Sequence, residues 1–304
     1  MAPGRWGETT VERGGRTVAR LPYVARGPRR LRVLTQPPLT QTLGPWVQRP
    51  EGSKDAIALG DEMELLTSLE AGLPPAGAFR QGFSPTMRNA LPFHWAGYRL
   101  EVRYTYRLEG LRSEEALWQG LNGNIRREIR KARKRVVVRD DLGLDRFYGV
   151  YAKTFERQGL SADPLGRLER LEAACAPRGA RTMLFACDEN ERIHAVAYVV
   201  WDHRAAYYLL GGGDPELRTS GASSLLMWEA IMRARAVSEV FDFEGSMLRP
   251  VERFFRAFGG VQRPYLFVSR SSGPAHAALA LRAGWGRLAA HRRVQAGRPH
   301  HERP

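Results

Sequence analysis

Two acids and one glycine turn carry the chemistry that can be read from this chain. In FDFEGS, residues 241–246, strand alternation sets Phe241 and Phe243 on one face and Asp242 and Glu244 on the other. With the aromatic face in the core, both carboxylates point into a cleft. There they could take a proton, anchor a loop or pair with a cation, and Glu244 stands before Asp242 as the candidate general base. Some twenty residues earlier, AAYYLLGGG (205–213) reads as a strand and SLLMWEAIMRARA (224–236) as a helix, joined by the polar turn DPELRTSGAS. A helix entered through such a turn offers free N–H groups and the positive end of its dipole, a combination that favours phosphate. Proton transfer beside a bound anion is the chemistry this spacing suggests.

Other elements must hold these groups in place. Thr182–Asp188 and His194–Asp202 read as a hairpin around ENER, Asp145–Gln158 and Leu165–Cys175 as helices, and Gln262–Ser269 as a closing strand. VERFFRAFGG (251–260) reads as a short aromatic helix. Ser113–Arg135 is expected as one helix: Ser113 caps it, Glu114 and Glu115 favour its first turn, and Leu117, Leu121, Ile125, Ile129 and Ala132 form one apolar stripe. Its other side is basic. That side is either a solvated helix face or, through Arg126, Arg130 and Lys134, the lining of a groove that meets an acidic acceptor or donor phosphates. Upstream, Thr17–Tyr23 and Arg30–Leu34 read as strands around RGPRR, Asp61–Ala71 as a helix capped by Asp61 and stopped at Gly72, and EVRYTYRL as a strand. In RQGF and NALPFHW polar groups alternate with aromatics. Gln81, Asn89, Phe93 and Trp95 thus read either as an acceptor-side wall or as a turn packing its rings into the core.

With 304 residues the chain can bury two modest cores. The expected organisation is a first module over 1–110, a basic linking helix over 111–140, a second module over 141–270, and a helix (about Pro274–Ala290) with a basic disordered tail over 271–304. There are 47 Lys+Arg against 32 Asp+Glu, a formal charge of +15, which attracts polyanions: nucleic acid, membrane head groups or a phosphorylated cofactor. Cys175 and Cys187 read as two inert thiols of a cytoplasmic protein. No run reaches the roughly 18 apolar residues of a membrane span, and the start lacks a secretion signal. The seven histidines show no metal-ligand spacing, so no metal is expected. No nucleophilic Ser or Cys motif stands out either.

The whole run YYLLGGGDPELRTSGASSLLMWEAI, FDFEGS and RFFRAFGG, in this order, resembles the acyl-CoA half of the GNAT N-acyltransferases, in the branch of Fem-type peptidyltransferases and BioF2-like acetyltransferases. The resemblance spans about Ser113–Ser269 and, more loosely, Leu21–Tyr106. It implies an α/β (α+β) fold: a GNAT-like mixed sheet flanked by helices, preceded by a smaller diverged GNAT-like module that is incomplete at its start, with the acceptor cleft between them. It also implies acyl-CoA, acetyl-CoA first, as donor. The diphosphate would lie on Arg218, Thr219, Ser220, Gly221, Ala222 and Ser223, matching the family's phosphate pattern except at Ser223. The pantetheine would run along Tyr208, Leu210, Gly211 and Gly212. The acceptor is a small-molecule or peptide amine that attacks directly. The alternatives are a Fem-type transfer from aminoacyl-tRNA to a peptidoglycan precursor and a non-catalytic nucleic-acid-binding module. Where Fem-type enzymes carry Phe-Lys, this chain has Phe254-Phe255, followed by Arg256.

Overall fold

The computed structural model describes residues 5–272, apart from 29, 30, 50, 51, 53, 112, 158 and 246. The helix expected at Pro274–Ala290 and the basic tail lie outside the described residues. In chain order the elements are β1 (Trp6–Arg13), β2 (Arg16–Arg26), β3 (Val33–Thr35), β4 (Trp46–Val47), α1 (Asp55–Ala71), β5 (Ala78–Gly82), α2 (Leu91–Trp95), β6 (Arg99–Glu109), α3 (Glu114–Gly120) and α4 (Gly123–Ala132). After these come β7 (Val137–Arg139), α5 (Leu144–Arg157), α6 (Leu165–Cys175), β8 (Arg181–Cys187), β9 (Ile193–Trp201), β10 (Ala205–Gly213), α7 (Ala222–Ala234), β11 (Val240–Asp242), α8 (Arg249–Arg256) and β12 (Val261–Ser271). Among the described residues no helix is long and apolar enough to cross a membrane.

Two compact units divide the chain. One holds residues up to Tyr104 together with Pro264 onward, the other Thr105–Arg263. The basic helical segment expected as a linker therefore belongs to the second unit, and β12 returns to the first. In the first unit the strands run β1-β2-β3-β5-β12, with β4 also on β2; β3 and β5 are parallel and the other pairs antiparallel. Its core joins Leu65, Leu66 and Leu69 of α1 to Phe79, Phe83, Phe93 and Tyr98. Helix α1 begins six residues before the expected Asp61, whose carboxylate pairs with Arg13 instead of capping.

In the second unit the order is β6-β11-β10-β9-β8-β7, all antiparallel except β10 with β11. One face is covered by α7, α4 and α8, the other by α5 and α6. Leu117, Leu121, Ile125, Ile129 and Ala132 all enter the core with α7, as their spacing requires. The helix expected over Ser113–Arg135 is nevertheless two. Ser113 Oγ accepts from Ala116 N at 3.1 Å and caps α3, as expected, but the chain turns at Leu121 and Asn122 Oδ1 caps α4 through Asn124 N at 3.0 Å. Gly120 and Gly123 lower helix propensity on either side of a residue that prefers an N-cap, so the break is local chemistry.

Candidate active site

Strand β10 pairs with β9 along one edge, from Ala206 to Gly213. On its other edge it pairs with β11 only through Ala205, Ala206 and Tyr207, and β11 ends at Asp242. The two parallel strands part there. On the face that carries Tyr208, a cavity of about 700 Å³ opens beside the diverging edge, with Gly211, Gly212, Gly213, Ser223, Phe254 and Arg157 in its wall. Glycine is needed along this wall by close approach. A Cβ on Gly211 would overlap the Tyr208 hydroxyl, and one on Gly212 would lie 2.5 Å from Thr154 Oγ1. Thr154 in turn fixes the strand end, accepting from Gly213 N at 3.1 Å. The Tyr208 ring meets Phe255 edge-on at 5.9 Å. Its hydroxyl makes no hydrogen bond to a described residue, and burial pushes its pKa up to about 12, so it stays protonated and able to donate. Leu210 is turned into the protein.

The glycine turn has a left-handed corner, with Gly221 at φ +82° capping α7, and α4 sits against it. A Cβ on Gly221 would lie 2.5 Å from the carbonyl oxygen of Glu128 and 3.0 Å from that residue's Oε2. Ser220 and Ala222 are buried, and the Ser220 hydroxyl accepts from Ala222 N at 3.3 Å. Arg218 and Thr219 are exposed and outside the cavity wall. Of the residues expected to cradle a diphosphate, only Ser223 lines the cavity. The cation that does so is Arg157, from α5, which has no acidic partner among the described residues. The sequence pattern missed it because it lies some sixty residues upstream. Gly221→Ala forces an L-residue into the left-handed region and against a backbone carbonyl. We expect it to lower unfolding stability by about 1–3 kcal/mol in urea titrations.

The acids differ from the expectation in one respect. Phe241 and Phe243 are fully buried in the core with Phe255 and Phe258, as alternation requires. Asp242 lies on the opposite face, in register with Tyr207 of β10 and Arg107 of β6, and therefore away from the cavity on the Tyr208 face. Its Oδ1 accepts from Thr105 Oγ1 at 2.5 Å and from Glu244 N at 2.8 Å, and its Oδ2 is 3.3 Å from Arg107 Nε. Asp242 is thus a buried anchor whose Oδ1 already accepts two hydrogen bonds, which argues against the base role expected of it. Burial raises its pKa. Glu244 leaves strand geometry altogether, with φ at +56°. Burial, and secondarily the Asp242 charge, push its carboxyl up to about 8. The neighbouring Tyr207 hydroxyl is pushed up to about 12 by burial, then by Asp202 and Asp242.

The residues expected on the acceptor side are dispersed. Gln81, in the first unit, is fully buried and donates to the Pro22 carbonyl at 2.8 Å, so it is a core anchor and not a wall. In the same unit Asn89 Oδ1 accepts from Leu91 N at 3.0 Å at the start of α2, and Trp95 is exposed. Arg126 donates to the carbonyls of Trp118 and Gln119 at 3.3 and 3.0 Å, closing the C-terminus of α3. Arg130 lies over the Trp118 ring at 5.6 Å, whereas Lys134 lines a separate cavity of about 560 Å³ with Asp188, Arg192 and His194. Arg126 and Arg130 of α4 and Lys134 beyond its end thus meet different neighbours. Among the described residues no group of three or more His, Cys, Asp or Glu could hold a metal ion.

Residues 121–256 match the model of the acetyltransferase (GNAT) domain. No curated protein matches the sequence. Among solved structures the fold is similar to FemX, at 13% identity over 86% of this chain and 87% of that one, with a TM-score of 0.62. It is also similar to the C-terminal domain (DUF2156) of a putative lysylphosphatidylglycerol synthetase from Agrobacterium fabrum, at 16% identity, 91% and 87% coverage and a TM-score of 0.52. A tandem GNAT protein from the clavulanic acid biosynthesis pathway follows at 14% identity, 90% and 85% coverage and a TM-score of 0.51. At these identities the likeness is one of fold.

Proposed function

We propose, from the match of residues 121–256 to the acetyltransferase (GNAT) domain, that this acyltransferase moves an acyl group, acetyl first, from acyl-CoA to an amine by direct attack. The observation that carries the reading is the parting of β10 from β11 beside the Tyr208 cavity. The backbone of Tyr208–Gly212 has no strand partner on that edge, and an extended pantetheine arm can pair with it as a strand would. Arg157 and Ser223, at the entrance to α7, are the groups to meet the donor's phosphates.

The thioester carbonyl would then lie where the strands separate, between the Tyr208 face and the Tyr207 face. The amine nitrogen attacks that carbonyl carbon from the side of Glu244, whose carboxylate takes the amine proton. A β10 amide stabilises the oxyanion. The C–S bond breaks, and the departing thiolate takes its proton from the Tyr208 hydroxyl, which lines the cavity and has no hydrogen-bond partner among the described residues. A second reading, transfer from aminoacyl-tRNA to the amine of a peptidoglycan precursor, draws support from Glu128. Its carboxylate faces the Gly221 turn, where a diphosphate would otherwise be favoured. The match to an acetyltransferase domain favours a catalytic reading over the non-catalytic one.

Thermal shift separates the two. Acetyl-CoA at a hundred times its Kd should stabilise the protein by about 2.7 kcal/mol, and pantetheine should give a smaller shift. Gly212→Val, which drives a side chain into Thr154, should remove both. Turnover that requires charged tRNA, with no shift from CoA, would replace the acyl-CoA reading by the second.

A further inference from the structure

On the Tyr207 face, three polar groups stand together with no hydrogen bond from their side chains to any described residue: the Arg107 guanidinium, the Tyr207 hydroxyl and the Glu244 carboxyl. Arg107 is the most telling. Its side chain is 17% exposed, and among the described residues its ion-pair contact is with Asp242 Oδ2, 3.3 Å from Nε. That approach lacks hydrogen-bond geometry, and the Nε atom is fully buried without a partner. Asp242 does not need it, being already held by Thr105 and the Glu244 amide. A guanidinium carries five donors in a planar fork. Leaving it mostly buried and unbonded is costly unless water or a ligand completes it, and the fork matches a carboxylate or phosphate. The charged groups around it are few: Asp242 in register beside it, Glu244 two residues further on, and Asp202 near Tyr207.

We propose that the acceptor is an amine that also carries an anionic oxy group, carboxylate or phosphate, which Arg107 grips while Glu244 faces the amine. This rests on the reading of Glu244 as base, and it deepens that reading by naming the acceptor class. Neighbouring strands lie about 4.8 Å apart, so Arg107 and Asp242 stand side by side with Glu244 close beyond. The amine and the anion are therefore separated by only a few bonds. Tyr207, between them, can donate to the same anion.

The test is calorimetric titration of the donor-free protein at pH 7 with three matched series: glycine, β-alanine and 4-aminobutyrate; the corresponding aminoalkyl phosphates; and the corresponding alkylamines. At least one anionic series should bind 10- to 100-fold tighter than its alkylamine, as charged hydrogen bonds allow, and the two anionic arms tell carboxylate from phosphate. Arg107→Met should erase the preference. Arg107→Lys keeps the charge but loses the fork, so it should lose about tenfold; it carries the test if the Met variant does not fold. Equal binding of alkylamines, no binding of any anionic amine, or a preference that survives both substitutions overturns the proposal. A protein that responds to CoA but shows no anion preference loses this inference alone. One with the preference but no CoA response loses only the donor reading.

Discussion

Glu244→Gln should lower kcat by two to four orders of magnitude, the usual weight of a positioned general base, while donor affinity stays within a factor of two. The Glu244 carboxyl interacts electrostatically with Tyr207 and Asp242 and is not part of the wall of the cavity on the Tyr208 face, so the amide removes the proton acceptor without reshaping that cavity. The pH dependence makes the assignment sharper. A carboxyl held up to about 8 by burial and by Asp242 is mostly protonated at neutral pH. Log kcat/KM should therefore rise with unit slope below about 8 and flatten above it, and Gln should abolish the rise. Stability moves the other way. Because the folded carboxyl keeps its proton while the unfolded one has lost it, the native state binds more protons between about 4.5 and 8. Wild-type stability from this group then falls as pH rises through that window. Gln, which cannot ionise, should melt higher than wild type at pH 9 and equally at pH 4. A Gln variant that turns over like wild type would remove Glu244 from the chemistry.

What the sequence disclosed, and what it hid, follows from how each feature is encoded. Periodicity reports burial, so the Leu117–Ala132 stripe, the β8–β9 hairpin and the β10–α7–β11–α8 order could all be read directly. The same logic placed Phe241 and Phe243 in the core. It could not foresee the backbone one residue later, where Glu244 takes a left-handed conformation just before Gly245. Gly211, Gly212 and Gly213 were legible as a cluster. Their purpose was not, since Tyr208 and Thr154 fill the space above Gly211 and Gly212 through tertiary contacts alone. Glu128 and Arg157 were missed for the same reason: a motif scan reads contiguous residues, and these two reach the α7 entrance from α4 and α5. The break at Asn122 was available in principle, as an N-cap residue between Gly120 and Gly123.

Asp242 is where loss of one side chain should damage the fold most. It is 4% exposed, and removing its carboxylate strands the Thr105 hydroxyl and the Glu244 amide and takes away the charge beside Arg107. Breaking a buried charged pair from one side typically costs about 3–5 kcal/mol, and Asp242→Ala should show a loss of that order in urea unfolding. Turnover should fall with it, because the left-handed conformation of Glu244 costs about 1–3 kcal/mol and the bond to Asp242 Oδ1 is what holds it. Asp242→Asn separates the two roles. Its amide oxygen can still accept from Thr105 and from the Glu244 amide, so the loop should stay in place and the stability loss should be about half as large. The negative charge, however, is gone, and that charge helps to hold the Glu244 carboxyl up. Glu244 should then ionise at lower pH, moving the rise of kcat/KM toward acid while its plateau is largely preserved. If the midpoint stays put in a folded Asn variant, Asp242 does not tune the base, and Glu244 owes its raised pKa to burial alone.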